Sequence, residues 1–171
     1  MVKNLLRVLC LLLLGLWLGA AIFFSAAVAP SVFAVLRDAG LANSSSLAGS
    51  IVSRLLGTLN RAGFEIAVFV LVINFFLSRR QKLARRVVGM ISLAIMAIMT
   101  GLGHWVIAAR MATLRAAMQL PIDQIALTDA RRIEFDNLHR YSVTVMAIAI
   151  VATLVAFIML ARESPPPITR G

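Results

Sequence analysis

The chain has 171 residues, of which 61% are hydrophobic and 14% charged, with a mean hydropathy of +0.94 and a net charge of +10. Soluble domains carry ~25% charge and about half apolar residues, so this composition excludes a water-soluble fold. A helix that crosses the hydrocarbon core needs ~20 residues, so the length accommodates one all-α domain of several spans.

The first span is expected at Val8 to Val28, an uncharged run, with Pro30 ending the helix because a proline disfavours helical backbone before it. A signal peptide is the alternative, since Lys3 and Arg7 precede the run and Ala27-Val28-Ala29 resembles a cleavage site. The run exceeds the usual ~7 to 15 residues of a signal core, which favours a span. Gly15 and Gly19 are spaced to put two small residues on one helix face, a helix-packing pattern expected to serve contacts within the chain. Cys10 is the sole cysteine, so no internal disulfide is possible.

Next, Leu47, Ile51, Leu55 and Leu59 recur every fourth position, and no proline interrupts Ser46 to Leu77. An amphipathic helix is expected there, extending the second span, Leu59 to Leu77, outward. Arg61 and Glu65 are spaced to pair on one face near the headgroups. The following link holds Arg79, Arg80, Lys82, Arg85 and Arg86 without an acid, and basic loops face the cytoplasm. Both termini are therefore expected inside, in a bacterial plasma membrane, and most of the net charge is this topological excess against anionic lipid.

The third span, Val87 to Ala109, has no charge, and Arg110 to Leu120 extends it to a break at Pro121. Spacings of three or four predict the pairs Asp129 with Arg132, Arg132 with Asp136, and Asp136 with Arg140 on an outward extension of the fourth span, Tyr141 to Ala161. The expected architecture is an antiparallel four-helix transmembrane bundle over 1–162, helically extended on the outer side, with a disordered cytoplasmic tail at 163–171.

Three constellations are candidates for chemistry. Phe135, His139, Ser142 and Met146 share one face of the fourth helix at the outer mouth, a polar or binding face expected to point inward, because an unpaired polar group in acyl chains costs several kcal/mol. Met96, Thr100 and His104 lie at i, i+4 and i+8 on the third helix, where thioether and imidazole suit a soft ion such as Cu(I), although methionine is more often a core filler. His104 and His139 could flank a haem only at one depth, and their spacing from the span ends offsets them by about 10 Å. No phosphate loop, nucleophile elbow, zinc helix or Cys-x-x-Cys is present, and no cofactor, enzymatic activity or nucleic-acid partner is expected.

The stretch Leu16 to Phe24 with Trp17, Phe23 and Phe24, followed by Val28-Ala29-Pro30 and Phe33, and the stretch Phe135 to Ser142 with His139, resemble the family of the eukaryotic transmembrane protein 205, which has many bacterial members grouped as a domain of unknown function. The resemblance implies a four-helix membrane domain, and a link to platinum-drug tolerance in the eukaryotic branch points to transport or trafficking. This chain departs from the pattern at Met146, often an asparagine there, and at Ala109, often a proline. Three readings follow: a non-enzymatic packing or assembly partner of membrane proteins or of a second copy, alternatively a small transporter or tolerance factor for a soft metal ion or apolar compound, and last, against the offset of the histidines, haem-binding electron transfer.

Overall fold

A computed structural model describes residues 2–41, 43–77, 83–118 and 120–162. Arg79, Arg80 and Lys82 and the tail from Glu163 to Gly171 lie outside the described residues. Lipid offers no hydrogen bonds to backbone, so the apolar runs satisfy their own amides as helices. Among the described residues six α-helices form: α1 (Val2–Phe23), α2 (Ala29–Asp38), α3 (Ser44–Leu77), α4 (Leu83–Gly101), α5 (Ala109–Met118) and α6 (Ala130–Ala161). Two π-helical turns, Phe24–Val28 and Leu102–Ala108, join α1 to α2 and α4 to α5, so the chain forms four long rods, each apolar enough to cross a membrane.

Pro30 does not end the first helix. Proline lacks an N–H and its ring clashes with a carbonyl one turn back, and the π turn relieves both by widening the helix just ahead of it. The Ala29 amide donates to Phe24 O, five residues back, and α2 continues to Asp38. It closes at Gly40, whose φ of 66° is a left-handed conformation that glycine adopts without cost, and the Gly40 amide donates to Arg37 O.

Each rod packs on the next, and α6 packs back on α1, giving a closed ring of four. Neighbours run antiparallel: Gly63 meets Trp17, Gly101 meets Phe64 and Gly89 meets Met159. The core of the inner half is apolar and tight, with Leu14, Val70, Leu93, Met96 and Ala149 almost fully buried. Close approach depends on Gly63, where a Cβ would lie 2.6 Å from the Trp17 indole nitrogen, which instead donates to Leu59 O at 2.9 Å.

At the inner end arginines satisfy helix C-terminal carbonyls, which have no intrahelical partner. Arg7 donates to Leu160 O and Ala161 O, Arg85 to Arg162 O and Arg86 to Phe75 O. At the outer end Asp129 caps α6 by accepting the Arg131 amide. Two expected ion pairs are corrected here. Asp129 pairs with Arg131 rather than Arg132, because its extended backbone turns the carboxylate onto the first helical residues. Asp136 pairs with Arg132, and no Asp136–Arg140 pair occurs among the described residues.

Candidate functional site

Above the Trp17 level the rods part. Between the outer ends of α3, α5 and α6 lies a cleft of about 960 Å³, bordered by Phe33 of α2 and by Pro121 and Ile122 of a short turn. Gly49, Ser53 and Gly57 on α3 and Gly103, Ala108 and Ala112 on the third rod line it. Its walls also carry three arginines, Arg54, Arg115 and Arg132, and one described carboxylate, Asp136.

Arg115 is the best held of these. One of its terminal nitrogens donates to Gly49 O at 3.1 Å and to Ser53 Oγ at 2.8 Å, and its guanidinium lies 5.1 Å from the Phe135 ring centroid. It forms no salt bridge among the described residues. Arg132 donates to Asp136 and to Ile122 O, fastening the mouth of the cleft to α6. Outside the cleft, Arg110 makes a two-pronged pair with Glu134 that clips α5 to α6. Asp129 is held down to about 2 by the side-chain and amide hydrogen bonds from Arg131, which also reaches Ala117 O at the end of α5.

The face expected at the outer mouth is partly inward. Phe135, Ser142 and Met146 are buried, as the spacing predicts, whereas His139 borders the cleft and is exposed there. Met96 and Thr100 are fully buried, and the Thr100 hydroxyl donates back to Met96 O at 2.7 Å. The π turn that begins at Leu102 breaks the even helical spacing assumed for this stripe, and His104 sits at the α3 interface with Nδ1 3.0 Å from Gly57 O. A carbonyl only accepts, so Nδ1 carries the hydrogen. No group of three or more His, Cys, Asp or Glu placed to hold a metal occurs among the described residues. The two histidines stand in different settings, one between helices and one in the cleft.

Gly15 has the Phe157 ring 3.5 Å from where its Cβ would be, so it serves packing within the chain, while Gly19 faces open space. Among the motif aromatics, Trp17 is buried and Phe23 is exposed. Trp17 engages α3 rather than the outer mouth.

A second feature lies on the outside of α3. Phe64 abuts Gly101 and Asn60 abuts Gly103, so residues 60–64 stand abreast of residues 101–103. Those positions are inside the uncharged third span, about 9–12 Å below its Ala109 end. At that level Arg61 and Glu65 pair at 3.0 Å, as their spacing predicts, with side chains 67% and 61% exposed. Val68 and Val72 continue this face, also exposed. Sequence spacing found the pair; its depth required knowing which residues of the next rod stand beside it.

Residues 12–119 match the family described as a domain of unknown function, DUF4149. The chain belongs to that family. The match takes in the Leu16 to Phe33 motif, the α3 face and Arg115, and stops short of the Phe135 to Ser142 motif. Comparison with curated proteins and with solved structures gives no match.

Proposed function

We propose that this member of the DUF4149 family is a non-enzymatic assembly partner, a bundle that docks another membrane protein against the α3 face bearing Arg61 and Glu65. The exposed ion pair, level with the uncharged Gly101–Gly103 stretch of the third rod, carries the reading. Ionisable side chains within spans almost always face protein or a water-filled cavity, because a charge at the helix centre costs at least ~2.5–3.5 kcal/mol. On the bundle alone this pair faces outward. A partner helix with a polar side chain at that depth covers it, and such contacts contribute about 0.6 to 2 kcal/mol in membranes. The stripe through Val68 and Val72 extends the contact inward along the same face. Arg7, Arg85 and Arg86 at the opposite end, with Arg79, Arg80 and Lys82 in sequence, support a cytoplasmic inner end in a bacterial plasma membrane.

A photo-crosslinking residue at Val68 of the full chain in native membranes tests the docking. A protein adduct of discrete mass is expected, lost on combining Arg61→Leu with Glu65→Leu, while the same probe at Val151, an exposed position on α6, captures lipid. Lipid adducts alone at Val68 sink the reading. Orientation is checked separately in a Cys10→Ala background: Leu41→Cys should react with an impermeant maleimide in intact cells, and Gln81→Cys should not.

A further inference from the structure

The cleft is graded along the membrane normal. Arg115 lies six positions beyond the Ala109 end of the uncharged run, about 9 Å farther along the rod, and Arg132 flanks the same cleft from α6. Deeper down the lining becomes Leu56, Gly57, Gly103 and Ile107, level with the outer hydrocarbon. Cations stand above small and apolar walls, the order in which a lipid of the outer leaflet presents an anionic head and an acyl chain.

Arg115 is half-buried and has no carboxylate partner among the described residues. A cation withdrawn from water is costly unless an anion compensates it, and its present partners, a carbonyl and a hydroxyl, are neutral. They hold one terminal nitrogen, and Phe135 supports the plane, leaving the other donors of the fork for a ligand. A guanidinium fixed in this way binds carboxylate or phosphate oxygens by charge-assisted hydrogen bonds. The volume, about 960 Å³, lies within the ~300–1,000 Å³ of small-molecule sites.

We infer that the outer cleft is a binding site for an anionic amphiphile, with its phosphate or carboxylate on Arg115 and Arg132 and its acyl chain along the apolar lining of Leu56, Ile107 and Met111. The ligand enters from the outer leaflet, and the site is independent of the α3 docking face. His139 borders the cleft near the boundary between head and chain.

The test uses the full chain, purified in a neutral detergent, with native mass spectrometry of phosphatidylglycerol against phosphatidylcholine of identical chains. The anionic lipid should be retained preferentially. Arg115→Gln should weaken it about tenfold or more, the loss expected for one charge-assisted hydrogen bond. Arg110→Gln, which removes an outer cation that does not line the cleft, should leave the preference intact. Because Arg115 also ties α5 to α3, Ala112→Trp provides a second variant that fills the cleft without touching a charge, and it should lose the lipid as well. Equal retention of the neutral lipid overturns the proposal, as does retention of the anionic lipid by both variants. Displacement by inorganic phosphate as effective as by the lipid also overturns it, because the acyl chain then contributes nothing.

Discussion

Below the Trp17 level the four rods interlock through Leu14, Val70, Leu93, Met96, Ala149 and Ala156, none more than 3% exposed, whereas above Gly103 the same rods part around a cleft walled by arginine, serine and glycine. The inner half places its cations at helix ends, on carbonyls that need donors, and its middle holds apolar side chains with Ser92, Thr100 and Thr153 buried among them. The outer half places cations along its walls. In this bundle the inner end holds the rods together, and the outer end is free to be shaped for a ligand.

Substitutions should therefore divide by level. The largest effect is expected at Trp17→Ala, which empties a buried site and removes the bond to Leu59 O; a loss of about 3–5 kcal/mol is the scale for large aromatics in cores. Thermal unfolding in detergent checks it, and a variant as stable as the parent would mean the inner half is not the anchor. Gly63→Ala comes next, at about 1–3 kcal/mol, since the added Cβ meets the indole at 2.6 Å and the ring must move. Combining it with Trp17→Ala should remove most of its cost, a coupling that a double-mutant cycle measures.

A smaller change is expected at the outer end in acid. Asp129 is held at about 2, below its unfolded value near 4, so its cap stabilises α6 fully above about pH 4 and is lost as pH falls from there through 2. Asp129→Asn keeps a capping oxygen without the titration, and fraying of the α6 start, read by amide exchange, should become independent of pH over that range. The smallest effect is expected at His139. Exposed in the cleft, it should tolerate Ala, Gln and Asn alike within about 0.5 kcal/mol. If Ala destabilises and Gln does not, His139 makes a structural hydrogen bond and belongs with the packed half.

Hydropathy and periodicity made the four rods legible, including the outward run of α3 and the break at Pro121, because apolar length and helical spacing are local properties. Pro30 misled for the same reason: a proline reads as a stop unless the widened turn ahead of it is known, and no single residue announces that turn. The second π turn hid itself likewise, and with it the change of helical spacing between Thr100 and His104. Arg115 was unreadable as a site residue, since its meaning comes from Gly49 and Ser53, more than 60 positions away in the chain. The burial of Phe135, Ser142 and Met146 on α6 was readable from spacing, yet the cleft beside them is lined by residues of other rods, which have no signature until the rods are aligned.

The clasp of Arg7 on the last carbonyls of α6 bears on the order of assembly during synthesis. The rod of α1 has α6 as one of its two neighbours, so until α6 arrives the flank of α1 that carries Gly15 and the buried Leu14 borders lipid instead of protein. Closure of the ring thereby waits on the arrival of α6. A ribosome-stalled intermediate ending before Ala130 should leave that flank open to a membrane protease, and one carrying α6 should not.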